Sequence, residues 1–380
     1  MAAWAGLHFN LVARILEHLP CRAHRAAFSA VCSNWRAVGS QLPPPRQLPW
    51  LLLPSAAAQA PVVFCIRCRA AHGVFLHEDV FIARCFGSHP GGWLVLALQP
   101  QQGGGFELHN IQLQASGYAL HNLHTGERLA VPGFFVTPDN TGDVGMVVLG
   151  AALSAAPTAD GAFLAVVLDP GDGASIADVI YYSGHGLKGF HVLTDAEEVL
   201  VYVPEFALDG KLTTRLVTYR FPDHQVSAEP GCTASRYLID FFDELVMVVR
   251  FVSTVEDEGT RWIHAFQLSW TVQAVNQGDR QAEWENVSFP DNVVVMLGRC
   301  SSMAFVSPAV ALDGLYFLDD ANSFDDVMAR LQEWHPFPCM DMGRRTVQHE
   351  QEQVEEVFPI RPPSEFSPAV WLFHSNPADA

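Results

Sequence analysis

Several groups of residues in this chain have types and spacings that could do chemistry. Gly184-His-Gly186-Leu-Lys-Gly189 is a literal GxGxxG after an apolar run. A dinucleotide-binding loop of that form must open a helix whose N-terminus faces the pyrophosphate. Here Phe190-His-Val-Leu-Thr and then Glu198-Val-Leu-Val-Tyr follow, which is a strand pattern, so the glycines read as a turn between strands. Cys65-Ile-Arg-Cys68, with His72 and Cys85 downstream, imitates a zinc site. On a continuous strand, residues i and i+3 point to opposite faces, which hinders chelation unless a turn intervenes. No second CxxC or paired HxxxH completes the set, so free thiols in a β-core are the expectation, with no metal ligand. Carboxylates cluster at Glu197-Glu198, Glu256-Asp257-Glu258, Asp319-Asp320 and Asp325-Asp326. Paired acids can do acid–base work, but sequence neighbours on a turn usually face solvent. The zinc-protease pairing of histidines and the GxSxG elbow are both absent from the sequence. The reading is therefore a chain that is not an enzyme, with no catalytic residue and no cofactor.

Bulk composition narrows the partners. The chain has 380 residues, 49% of them hydrophobic, with a formal net charge of −19. That charge argues against nucleic acid, because phosphate binding needs concentrated Lys and Arg. Only Lys188 and Lys211 are lysines, which fits either an arginine-rich codon usage or a scarcity of acceptors for lysine-directed modification. The eight cysteines are scattered rather than grouped as a disulfide framework. His8, Asn10 and Arg14 interrupt any leader-like apolar run, and the uncharged stretch Val144–Ala159 falls short of the roughly 20 residues a membrane helix needs. A soluble intracellular protein, cytoplasmic or nuclear and without a membrane partner, is expected.

Two regions differ in grammar. Residues 4–38 read as helix: Leu7, Leu11, Ile15 and Leu19 repeat at a spacing of four beside Leu16, and Pro20 ends the run. Ala27, Phe28, Val31 and Cys32 then share a face, followed by Trp35 and Val38. A unit of about forty residues is too small to bury much surface alone, so it is expected to share its apolar face with a partner. Residues 1–40 carry four arginines against Glu17, a formal +3, which leaves −22 for the remainder and suits an acidic partner surface. The proline-rich run Leu42–Pro54 reads as an extended connector anchored by Trp50, Leu51 and Leu52. From about residue 60 the period becomes two, with short strands expected from Phe64–Cys68 to Leu315–Leu318 and no long helix between them. That pattern suggests a closed or radially repeated β-structure, such as a propeller of blades about 40–50 residues long, with the blade count open. The acidic segment His349–Glu356 reads as a solvated loop or helix. The boundaries implied are 1–42, 43–59 and 60–380.

The string Trp4, Leu7, Leu11, Ile15, Leu16, Leu19, Pro20, then Arg25, Val31, Cys32, Trp35 and Arg36 resembles an F-box. "LPWLLLP", "GSHPGGWLVL", "ALHNLHTGERLAVP", "DVIYYSGHGLKGFHVLTDAEEVLVYV", "YLIDFFDELVMVVRF", "LYFLDD" and "SPAVWLF", in that order, resemble plant proteins with a domain of unknown function 295, a KIB-type β-propeller. The resemblance implies a small three-helix F-box followed by a large, mainly all-β propeller-like domain. It further implies a substrate receptor of an SCF-type ubiquitin ligase. Leu7, Leu11, Ile15, Leu16, Leu19, Pro20, Val31, Cys32, Trp35 and Arg36 would dock a Skp-family adaptor, and through it a cullin, while the β-domain binds an unknown protein target. His8, Asn10 and His24 depart from the usual F-box residues, and the alternative is an F-box-derived scaffold no longer coupled to a ligase.

Overall fold

The computed structural model describes residues 4, 6–19, 21–42, 48–55, 60–72, 83–98, 117–131, 148–168, 175–207, 209–221, 226, 230–255, 258–274, 279–307, 312–320, 336–348, 351–364 and 366–373. Three helices come first: α1 (Phe9–Glu17), α2 (Arg22–Ser29) and α3 (Ser33–Gln41). His8 caps α1, its ring nitrogen accepting from the Asn10 N–H at 3.4 Å. At the other end, the Arg25 guanidinium donates to the carbonyls of Leu19 (2.8 Å) and Leu16 (3.3 Å), groups a helix end leaves without partners. Val12, Ala13, Leu16, Phe28, Trp35 and Val38 make the helical core, with the Phe28 and Trp35 rings 4.6 Å apart.

The remaining chain is built of short strands that alternate as their period predicts. The first sheet contains β1 (Trp50–Leu53), β2 (Val62–Cys65) and β3 (Ala70–His72). The second is the meander β4 (Arg84–His89), β5 (Trp93–Leu98), β6 (Gly117–Asn122) and β7 (Arg128–Val131). A pair follows, β8 (Val148–Leu153) with β9 (Leu164–Leu168). Next come two four-stranded meanders: β10 (Ile176–Tyr182), β11 (Gly189–Thr194), β12 (Val199–Phe206) and β13 (Leu212–Arg220), then β14 (Cys232–Phe241), β15 (Glu244–Ser253), β16 (Thr260–Ala274) and β17 (Asp279–Val287). Their outer strands β13 and β17 pair in parallel over three residues, joining both into one eight-stranded sheet. The last sheet holds β18 (Val293–Leu297), β19 (Met303–Val306), β20 (Gly314–Phe317), β21 (Gly343–Gln348) and β22 (Gln351–Glu355). Finally β23 (Val370–Leu372) returns to pair antiparallel with β1, Trp50 opposite Leu372, so the ring is closed by strands from its two ends.

Alternation of side chains makes that ring. In β5, Leu94, Leu96 and Leu98 pack against the first sheet, while Trp93, Val95 and Ala97 pack against β8. In β15, Leu245, Met247, Val249 and Phe251 face the β10–β13 meander, and Val246 and Val248 face β18 and β20. Six inter-sheet apolar clusters follow one another around the molecule, the last joining β18–β20 to β1 and Trp371. Counting the eight-stranded sheet as its two meanders, each unit is a blade sharing one core with each neighbour, and among the described residues six blades form a propeller-like ring that follows the three helices.

The structure corrects the reading of the connector and of the acidic tail. Trp50–Leu53 is strand β1, buried on both faces, because prolines flank it without entering it. Gln351–Glu355, within the segment expected as loop or helix, is the outermost strand of the last blade, where charge protects a sheet edge. Strands β4, β7 and β17 lay outside the expected set since Arg84, Arg128 and the Arg280–Glu285 charges dilute their apolar pattern. The GxGxxG is the β10–β11 turn: Gly186 has φ +98°, and a Cβ on Gly189 would lie 2.6 Å from the Tyr202 carbonyl.

Candidate functional site

The helical unit divides the F-box-like residues into two groups. Leu16 and Trp35, 1% and 9% exposed, lie inside the unit, and Leu7, Ile15, Leu19 and Cys32 pack against them half-buried. Trp35 also donates its indole N–H to the Trp4 carbonyl at 3.1 Å. Leu16 and Trp35 therefore hold the helices together and offer a partner little surface. Leu11 and Val31 point outward at 56% and 53% exposure, and Arg36 is exposed with its Nε donating to the Ser29 carbonyl at 3.3 Å. Pro20 lies outside the described residues. Trp4 and Phe9, 67% and 41% exposed, join Leu11 and Val31 as large apolar groups on the surface of this small unit. A spacing argument finds the stripe but cannot divide it, because the third helix decides which edge of the stripe is covered. His8 does not disrupt the start of the helix. Its φ of −64° and ψ of 144° suit a proline equally well, and its ring supplies a cap.

The seam between helices and propeller is polar and sulfur-rich. Cys21, the N-cap of α2, makes no side-chain capping bond and turns its Sγ into the first blade. There the chain turns at residues 66–69, with Arg69 at φ +50°, before re-pairing as β3. That turn is what the sequence reading lacked, and it brings Cys65, Cys68 and His72 to one side. The His72 Nε2 lies 3.2 Å from the Cys21 Sγ and 3.1 Å from the Cys68 Sγ. The four ligand atoms of Cys21, Cys65, Cys68 and His72 all lie within 4.8 Å of one another. Cys85 stays out of this cluster, its N–H bonded to the Ser367 hydroxyl at 3.0 Å. Hydrogen bonding from Cys65, reinforced by backbone groups of the α2 N-terminus, holds the Cys21 thiol well below the usual thiol range; Cys65 rises in return, and burial raises Cys68.

The acidic pairs prove structural where they are described. Asp320 accepts from the Tyr237 hydroxyl (2.6 Å) and the Arg299 N–H (2.7 Å), and Asp319 accepts from the Met340 and Asp341 N–H groups at 2.7 and 2.9 Å. Both face Arg250, which is wholly buried and donates to Asp341 at 2.8 Å, to Thr260 at 2.9 Å and to the Leu318 carbonyl. Glu197, expected in solvent, is buried at φ +64° and bonds Arg236 of the next blade at 2.9 Å. For Asp320 the clue in the sequence was its basic partner: Arg250, inside the apolar run Leu245–Val252, demands an acid beside it. Asp178 is buried on β10 and accepts from the N–H groups of Val179, Leu238 and Cys300 at 2.7–2.9 Å; burial still pushes its carboxyl up to about 7. These groups stitch blades together. Glu256, Asp257, Asp325 and Asp326 lie outside them.

Trp284 is buried and stacks on Phe221 at 4.8 Å, and Trp262 is half-buried beneath Arg261. Trp334 and the side chain of Trp270 fall outside the described residues. The β12–β13 hairpin instead exposes an apolar ladder that sequence reading missed, with Tyr202 opposite Leu216 and Phe206 opposite Leu212. Among the described residues no helix is long and apolar enough to cross a membrane. Residues 63–333 match the family model described as KIB1-4 beta-propeller. No curated protein matches the chain.

Proposed function

Because the chain belongs to the KIB1-4 beta-propeller family, whose fold is consistent with a protein-interaction domain, we propose that it is a non-catalytic substrate receptor of an SCF-type ubiquitin ligase. In this reading the three helices dock a Skp-family adaptor, which bridges to a cullin, and the propeller holds the protein to be modified. Catalysis then belongs to the ubiquitin-charged enzyme, and the receptor raises the local concentration of its target. One observation carries the reading: a helical unit with a complete small core of its own still keeps Trp4, Phe9, Leu11 and Val31 exposed. Large exposed apolar side chains on so small a surface are what an interface centre is made from.

The test is a binding measurement between the purified full chain and a Skp-family adaptor. Leu11→Asp combined with Val31→Asp is expected to weaken binding by about 30-fold or more, the loss of roughly 2 kcal/mol typical of a removed hot spot. Thermal unfolding of that variant should match the wild type, since neither side chain is buried. Absence of binding by the folded wild type would overturn the ligase reading and leave the uncoupled scaffold.

A further inference from the structure

We propose that Cys21, Cys65, Cys68 and His72 form a structural zinc site that clamps the helical unit to the first blade of the propeller.

The donor set is a Cys3His set, the type that closes tetrahedral structural zinc sites. Its spacing, Cys65-x2-Cys68-x3-His72, supplies three ligands, from the end of β2, the tight turn after it and the end of β3. The fourth comes from across the connector, at the start of α2. Zinc bonded to sulfur at about 2.3 Å and to nitrogen at about 2.0–2.1 Å places its ligand atoms about 3.6–3.8 Å apart around the tetrahedron. The two sulfur–nitrogen contacts at 3.2 and 3.1 Å fall just inside that, and every other pair lies within 4.8 Å. Movements of a few tenths of an ångström to about one ångström would seat the ion.

The surroundings fit a closed structural site. Cys21 and Cys65 are buried, and Cys68 and His72 are half-buried, so the ion would have no open face for a substrate. His72 is flanked by the rings of His24 at 5.3 Å and Trp50 at 5.6 Å, which fix its orientation. Three thiolates and a neutral imidazole leave zinc with one net negative charge. Arg67, inside the turn, and Arg25, close enough to feel its charge, lie on hand to balance it. A lone CxxC on a strand would not chelate; here a turn and a third sulfur from another unit make four donors converge.

The consequence is mechanical. The helical unit has a core of only six buried side chains, and its orientation on the propeller would otherwise rest on contacts around Cys21 and Ala23. A metal clamp fixes how the helices are presented relative to the blades. This inference stands on the cluster alone and does not depend on the ligase reading.

The full chain, purified in reductant without chelator and reconstituted with Zn2+ or Co2+, should retain one metal ion per chain. With Co2+ it should show thiolate-to-metal charge-transfer and tetrahedral d–d absorption. Cys68→Ser and His72→Ala, both at half-buried positions, should each lose most of the bound metal while keeping the β-rich circular dichroism spectrum. Cys32→Ser, at an N-cap that serine serves well, should keep one ion. Removing zinc from the wild type should speed amide hydrogen exchange in α2 and β3, loosening the helices from the blade. The proposal fails if the folded wild type binds no metal under reductant. It also fails if mass spectrometry shows a disulfide between Cys21 and Cys65 that persists in reductant, or if both ligand variants bind metal as tightly as the wild type.

Discussion

The helical unit buries six side chains in one cluster, whereas the propeller distributes its burial over six clusters linked in a ring. In the ring every blade has two neighbours, and closure by β1 and β23 leaves no blade at an end. The propeller therefore buries charges by pairing them between blades, whereas the small helical unit leaves Trp4, Phe9, Leu11 and Val31 on its surface. A closed architecture can hold Arg250 at 0% exposure because acids arrive from two directions. A three-helix unit has no second layer, so its surplus hydrophobic residues remain exposed.

That contrast can be broken at several places. The largest expected effect is at closure. Trp371→Ala removes a fully buried indole that donates to the Leu297 carbonyl at 2.8 Å and should cost about 3–5 kcal/mol in urea unfolding. A cost below about 1 kcal/mol would mean that closure does not hold the ring. Nearly as large, Asp341→Ala strips the closest acid from Arg250 and should cost about 3–5 kcal/mol, with Arg250→Met costing less because the buried charge leaves with its partner. The reverse order would contradict the internal charge account.

The third effect is a pH dependence carried by two buried groups of the propeller. Burial lowers the His191 pKa to about 4, although its Nδ1–H is bonded to the Gly189 carbonyl at 3.1 Å. Its unfolded value near 6.5 means that the unfolded chain takes up a proton first. The contribution is complete above 6.5 and is lost as pH falls through 4, about 3 kcal/mol in all. Asp178 runs the other way: burial raises it to about 7, so its contribution is complete below its unfolded value of 3.8 and is lost as pH rises through 7. Stability measured from pH 4 to 8 should fall less steeply on the acid side for His191→Phe than for the wild type. Asp178→Asn should gain relative to the wild type as pH rises. Parallel curves would refute both assignments. The smallest effect belongs to the helices: Leu11→Asp should change global stability by less than about 0.5 kcal/mol, as an exposed position does. A large loss there would mean that Leu11 is packed rather than offered.

The alternation that makes the blades was legible in the sequence. Trp93–Leu98 and Val293–Leu297 form strands with the bounds their apolar runs suggest, because burial on both faces leaves no other reading. The four-residue spacing of Leu7, Leu11, Ile15 and Leu19 likewise sufficed for a helix. Only the tertiary structure decided which members of that stripe are covered, since exposure is set by α3 and not by α1. It alone decided the fate of Arg250, Glu197 and Asp320, whose partners are remote in sequence and meet only when blades close. The cysteines show the same limit. Cys65, Cys68 and His72 were visible as an incomplete set, and the sequence placed the two cysteines on one strand with His72 beyond it. The four-residue turn and the approach of Cys21 are products of packing between the helical unit and the first blade, and local periodicity carries no trace of contacts that long-range burial creates.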